Sequence, residues 1–565
     1  MKRNKLIILL GAGMLLASSC GKEFLQKLPQ GELAESQVGN SDGVEGALIG
    51  AYSILNGNVS GTWGNYGSAP SQWVFGELPS DNAHKGSELT DQTPMNMIET
   101  YGTISTNDNL STMWQVYFEG VLRCNNTLKL LANDQAGAKE ITAERAIQIQ
   151  GEARLLRAHY YFFMWRVFRN VPIITEEVSA EEAETIANDQ DVLPFIEADL
   201  KFAIDNLPET KINNEHGRMD KTTAQAYLGK LYLYQKKFPE ALVLFKEVMA
   251  GKDLVAMPFW NNFDVTKENG PETIFVSKHA INDNGSSDNA NVGDMLSGLY
   301  GSSPVGCCGF FQPTIDLVNA YRTDADGLPM LNGDYREDPY KSDLGKADTS
   351  YRLDVTLRFD PRLDYTVGRR GVSYLDYGIM PGNGWIRDAN YAGPFVGIKT
   401  MVPQSQFANE TAPGEKYVTG LDVNIIRLAD VWLMAAECEV EAGNLTEALK
   451  LVNDVRNRAA NLAPKKTATG ANAANYVVKP YTSFPNQTYA RNAVRFERRL
   501  ELALEGHRFF DLVRWDIAKE TIEAYSTFEG SFLPSYKGLT FSDNDKYWPI
   551  PQAEIDRSNG ILKQN

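Results

Sequence analysis

Three stretches of the sequence set flat aromatic side chains beside planar polar ones. The first holds Trp63, Tyr66 and Trp73, followed by Ser80-Asp81-Asn82 and His84-Lys85. The second is PVGCCGFFQPT, with Cys307, Cys308, Phe310 and Phe311, and the third, GRRGVSYLDYGIMPGNGWIRDANYAG, carries Arg369, Arg370, Tyr374, Asp376, Tyr377, Trp385 and Tyr391. Sugar rings have that mixed character: apolar C–H faces that stack on aromatics, and hydroxyls that must be paired once buried. From these loops we expect ligand contacts at Trp73, Asp81, Asn82, Cys307, Cys308, Phe311, Arg370, Trp385 and Tyr391. Core packing is the competing reading for each aromatic. Adjacent Cys307 and Cys308 could oxidise to a vicinal disulfide in an exported protein or stay reduced.

Catalytic chemistry has much less to draw on. The five histidines, at 84, 159, 216, 279 and 507, fit no HExxH or Cys/His metal spacing, and neither GxSxG nor a Walker loop occurs. His507 and Arg508, near Glu501 and Asp511, follow helix-neighbour spacing and read as a structural ion-pair and capping network. DADG at 324–327 opens like a calcium loop, but Leu328 stands where a third oxygen ligand is needed, so a turn is expected. We expect no catalytic residue, metal or cofactor. Acidic residues are numerous enough that a glycoside-hydrolase carboxylate pair stays open as an alternative.

The chain begins as an export substrate. Lys2, Arg3 and Lys5 precede LIILLGAGMLLA, the charged start and short apolar run of a signal peptide over residues 1–19. LASSC then leads to Cys20 and resembles a lipobox, with Ala17 where Leu is common, so Cys20 is the expected lipidation site and the outer membrane the expected anchor. Across 565 residues with 43% hydrophobic and 22% charged, the rest of the chain has the composition of a folded, water-exposed body. A formal charge of −17 with no basic cluster excludes a nucleic-acid role. Cys124 and Cys438 sit in apolar helical patterns and read as buried packers.

Helical periodicity supplies the scaffold. Thr222–Met249 reads as a helical hairpin whose Leu228, Gly229, Tyr232, Ala241 and Phe245 fall at tetratricopeptide spacings, and Trp432, Ala436, Gly443 and Ala448 repeat them. Two copies this far apart predict one helical scaffold with a long insertion. Further helices are expected at 141–168, 191–207 and, broken at Gly506, 495–516. Between 251 and 424 the periodicity fades into Gly, Pro, Asn and Asp, with ETIFVSKH and DYTVG reading as strands. The fold class is therefore mainly α: a tetratricopeptide-like scaffold with a loop-rich irregular subdomain containing short strands. The divisions are a lipidated segment at 20–55, an N-terminal region at 56–250, the irregular part at 251–424 and a helical region at 425–565.

Five ordered motifs carry a family resemblance. KEFLQKLPQG after Cys20 is similar to the opening of mature SusD/RagB proteins, the nutrient-binding lipoproteins of Bacteroidetes. Glu152, Arg157, Ala158, Tyr161 and Phe162 with the Val171-Pro172 exit, the IIRLADVW helix with its later Arg-x-Arg, ERRLELALEGHRFFDLVRW and WPIPQAEI resemble further family motifs. The resemblance implies a surface lipoprotein of the outer membrane that captures an oligo- or polysaccharide and delivers it to a SusC-like TonB-dependent transporter. Relatives that serve peptide uptake keep a peptide ligand as an alternative, although peptide grooves need fewer stacking aromatics. A scaffold that binds only other proteins is a further alternative.

Overall fold

The computed structural model describes residues 40–59, 65–281, 288–347 and 350–565. Cys20, the leader before it and Trp63 lie outside the described residues.

The N-terminal half is built on helices α1 (Ser41–Ser53), α2 (Asp108–Ala136), α3 (Ala143–Phe168) and α4 (Leu193–Asn206). Side-chain caps start three of them: Asn40 accepts from Gly43 N–H, Asn107 from Asn109 N–H and Thr142 from Arg145 N–H. Helix α3 packs against α2 and α4 and is buried almost continuously from Gly151 to Phe168. Its Arg157 grips Asp199 of α4 through two hydrogen bonds of 2.8 and 2.9 Å. The apolar helical pattern around Cys124 marks only part of α2, because Asn, Asp and Gln are interspersed along the rest of it. Its apolar face, Leu110, Met113, Tyr117, Val121, Cys124, Leu128 and Leu131, is nonetheless buried at helical spacing.

Helices α5 (Lys221–Tyr234) and α6 (Phe238–Met249) form the first expected hairpin, α7 (Leu428–Glu441) and α8 (Leu445–Ala460) the second. Gly229 is required where the first pair closes, since a Cβ there would stand 2.5 Å from the Phe245 ring. Helix α6 packs directly on α7, so the two copies stack despite the insertion between them. Asp430 ties the stack together, accepting from Lys230 of α5 at 2.9 Å and from Arg498 of α9 (Gln487–Leu502) at 2.8 Å. Helix α10 (Ala518–Glu529) follows, separated from α9 by a short helix at Arg508–Arg514. Among the described residues no helix is long and apolar enough to cross a membrane.

The insertion leaves and re-enters the scaffold through one ladder. Strand β2 (Thr273–Ser277) pairs antiparallel with β4 (Val423–Arg427), and β1 (Ala83–Gly86) with β3 (Phe310–Pro313). ETIFVSKH thus contains its strand; DYTVG corrects to a helical turn, Leu363–Thr366, followed by a two-residue strand at Val367–Gly368. The insertion has its own small core, including Leu299, Tyr374, Met380, Trp385 and Ile398. Asp324 of the DADG turn accepts from the N–H groups of Asp326 (2.8 Å) and Leu328 (2.9 Å), so its carboxylate is used in closing the turn.

The Glu-Arg-rich signature on α9 holds insertion and scaffold together. Glu501 pairs with Arg362, Arg427 and Arg458, and Glu497 with Arg362 at 2.6 Å and Arg456 at 2.9 Å, all of them buried. Each charge has several partners, which offsets the large cost of removing it from water. The three arginines hold the Glu501 carboxyl far below the carboxylate range against the opposing effect of burial.

Candidate functional site

The ladder between β1 and β3 sets the floor. His84 faces Gln312 and Gly86 faces Phe310, which brings the loop after β1 against the turn before β3. Lys85 Nζ donates to the carbonyls of Glu88 (2.6 Å) and Asp91 (2.5 Å) and lies 5.0 Å from the Tyr391 ring centroid. The loop is thereby held from below, and burial lowers the Lys85 ammonium to about 8.

Arg387 then spans that loop from the insertion. Its Nη1 contacts Asp91 Oδ2 (2.6 Å) and Ser87 Oγ (3.0 Å), and its Nη2 contacts Glu88 Oε1 (2.8 Å). The guanidinium carbon lies 5.4 Å from the Tyr300 ring centroid. Tyr300 is seated by its N–H on the Trp385 carbonyl at 3.1 Å.

Cys307 and Cys308 form a disulfide, and both are partly exposed. The Gly298 carbonyl accepts from the N–H groups of Cys308 (2.8 Å) and Gly309 (2.7 Å), fixing the linked pair to the neighbouring loop. A Cβ on Gly298 would lie within 3.0 Å of Tyr417, which places that tyrosine at the same corner. Tyr66 is also near, its phenol raised by burial and by the neighbouring Asp91 and Tyr417. The result is a platform of three half-buried tyrosines (66, 300 and 417), a rigid apolar disulfide and the Arg387–Asp91 pair. Flat rings with a planar cation and a carboxylate nearby can stack a ligand ring and pair its hydroxyls.

The nine expected contacts separate by burial. Cys307 and Cys308 reach the platform, Tyr391 underlies it with 6% exposure, and Trp385 supports it by its backbone while its ring fills the insertion core. Trp73 must be corrected to a core residue: it is 0% exposed, donates from Nε1 to the Gly293 carbonyl at 3.0 Å and packs on Phe311, itself buried. Asp81 and Asn82 are corrected likewise, because Arg508 and Arg499 bind the Asp81 carboxylate and Arg499 Nε donates to Asn82 Oδ1 at 2.9 Å. Those arginines hold the Asp81 carboxyl well below its usual range, overcoming burial. Arg370 lies in another patch, beside Asp343 at 3.8 Å and over the Tyr351 ring. Tyr300, Arg387 and Tyr417 were missed, since each sits alone in sequence; the Arg-Asp of GWIRDANY was the one available signal.

Glu77 Oε1 accepts from the N–H groups of Glu505 (3.2 Å), Gly506 (2.9 Å) and His507 (3.2 Å). Burial raises this carboxyl to about 7. Gly506, at φ +79°, is required there, since a Cβ would meet the Ser71 carbonyl oxygen at 1.9 Å. The His507 imidazole is partly exposed and is held down to about 3, first by desolvation and then by Lys230. The 501–511 cluster is thus structural, as expected, although Glu501 and Arg508 pair with residues distant in sequence rather than with helix neighbours.

A model described as the SusD family matches residues 271–565, just over half of the chain. The chain belongs to the SusD family. A second model, described as starch-binding associating with outer membrane, matches residues 58–233. Among similar proteins, a SusD-like protein of Formosa agariphila is 23% identical over 89% of this chain and 88% of its own length. A SusD-like protein of Bacteroides ovatus is 23% identical over 91% of this chain and 82% of its own. A solved structure titled a laminarin binding SusD-like protein superposes with a TM-score of 0.67 at 22% identity, covering 93% of this chain and 99% of that one. Another, surface glycan-binding protein A from Bacteroides thetaiotaomicron in complex with laminarihexaose, gives 0.63 at 19%, covering 93% and 99%. These likenesses confirm the SusD-type fold that the five ordered motifs implied.

Proposed function

We propose that this SusD-family chain is a non-catalytic surface lipoprotein, anchored through Cys20, that binds an oligo- or polysaccharide and passes it to a SusC-like TonB-dependent transporter. The observation that carries the reading is the Tyr66–Tyr300–Tyr417 platform around the Cys307–Cys308 disulfide. Its partly exposed rings can cover C–H faces, and Arg387 with Asp91 can meet hydroxyls. The solved relatives titled for laminarin and laminarihexaose support a glycan as ligand. The family description that mentions association with the outer membrane supports the location. Glu88 and Asp91, acidic groups at the platform, are both held by Arg387, which favours binding over acid–base chemistry.

The experiment is calorimetric titration of the mature protein with laminarin, starch and a panel of other polysaccharides, alongside a peptide pool, with a reducing-end assay on each mixture. Saturable glycan binding without new reducing ends is expected. New reducing ends would make the protein a hydrolase, and binding confined to the peptides would change the ligand class.

A further inference from the structure

A second cleft, of about 330 Å3, lies between α1, the loop before α5 and β2, and shares none of the platform residues. Its size falls within the range of about 300–1,000 Å3 usual for small-molecule sites.

Helix periodicity explains one wall. Val44, Leu48 and Ala51 bury one face of α1, and Ile49 and Tyr52, spaced i, i+3, lie along its flank at the cleft. Ile49 is left 48% exposed at the lip. Strand alternation places Val276 and Lys278 on the facing wall, and Leu55 completes the apolar surface.

The polar groups of the cleft are nearly all spent. Tyr52 donates its hydroxyl to Glu152 (2.6 Å) and accepts from Met219 N–H (3.0 Å), leaving its ring for contact. Arg218 is paired with Glu152 at 3.1 Å and Glu215 at 2.8 Å, and Lys278 with Asp422 and Glu268. No net charge is therefore left to select an ion. Asn56 differs: it is 9% exposed, its Oδ1 accepts from Asn58 N–H at 2.7 Å, and its Nδ2 has no acceptor among the described residues. Asn56 Nδ2 is not sealed from solvent, so it can donate to a ligand oxygen that enters the cleft.

An apolar wall, one unspent amide donor and balanced charge fit a small neutral molecule with an apolar face and an acceptor oxygen. We propose that this cleft is a second binding site for a neutral saccharide of one or two rings. The Asn56 amide donates to a hydroxyl or ring oxygen, while Ile49, Leu55 and Val276 cover a C–H face. The choice of a saccharide rests on the glycan reading above; the cleft geometry does not.

The test uses the mature chain carrying Tyr300→Ala and Arg387→Ala to disable the platform, with and without Ile49→Glu. Ile49 is exposed enough for the change to leave the fold intact, which a thermal melt checks. Saturation-transfer NMR with maltose, cellobiose and laminaribiose should show transfer to at least one disaccharide in the platform variant, weakened about fivefold or more by Ile49→Glu. Absence of transfer in the platform variant, or transfer that ignores Ile49→Glu, overturns the second site. Cleft transfer in a parent protein that binds no polysaccharide would instead support the cleft and sink the platform reading.

Discussion

Arg508 holds Asp81 through two charge-assisted hydrogen bonds, Nε to Oδ1 at 2.7 Å and Nη2 to Oδ2 at 3.0 Å, across 427 residues of sequence. Arg499 joins the same carboxylate at 3.1 Å, so the start of β1 is clamped to the α9 region. What looks in sequence like a polar ligand-binding pair beside tryptophan is a joint between the two ends of the chain.

That joint has a measurable cost of removal. Asp81→Ala leaves Arg499 and Arg508 without one partner in a buried setting, a class of change worth about 3–5 kcal/mol. Denaturant unfolding should show a loss of that order. A loss under about 1 kcal/mol would mean the carboxylate is not the anchor the geometry describes.

The platform and the core should respond oppositely to truncation. Tyr300→Ala or Arg387→Ala is expected to weaken polysaccharide binding about tenfold or more while the melting temperature moves by only about 2 °C, because both side chains are partly exposed. Trp73→Ala should instead destabilise by about 3–5 kcal/mol through a buried cavity. Binding unaffected in both platform variants would place the ligand elsewhere.

Reduction offers a separate probe. Cys124 and Cys438 are buried, and burial pushes both thiols up, so they are poorly reactive in the native state. A mild phosphine reductant followed by a thiol label should modify Cys307 and Cys308 first, with glycan affinity falling and far-UV circular dichroism unchanged. Undiminished affinity after complete labelling would remove the disulfide from the platform.

Stability should also fall on the alkaline side of neutrality. Desolvation works against protonated His84, but Glu529 at 2.9 Å and Glu99 at 3.0 Å win and raise it to about 9. Its folded value exceeds the unfolded 6.5, so the contribution is fully present below about 6.5 and is lost as pH rises through about 9. The change amounts to about 3 kcal/mol at most. Denaturation midpoints measured from pH 6 to 9.5 should decline in the parent and flatten in His84→Gln; equal slopes would refute the assignment.

The sequence by itself determined the helical hairpins, because a 3.6-residue apolar period and the small residue at Gly229 are local properties that hold wherever the hairpin sits. It also pointed to a structural role for the 501–511 cluster, although the partners of Glu501 and Arg508 lie far off in sequence and only the fold supplies them. It left the bounds of α2 open beyond the pattern at Cys124, where interspersed amides blur the period, and it could not separate Trp73 from Tyr300. Both are aromatic residues in Gly-rich surroundings, and only the packing of β3 and Phe311 over one of them encloses it. Tertiary structure alone decided the platform. Tyr66, Tyr300, Arg387 and Tyr417 come from four separate segments, a helical turn, a short strand and two loops, and the ladders and buried ion pairs that bring them together are long-range contacts with no local sequence period.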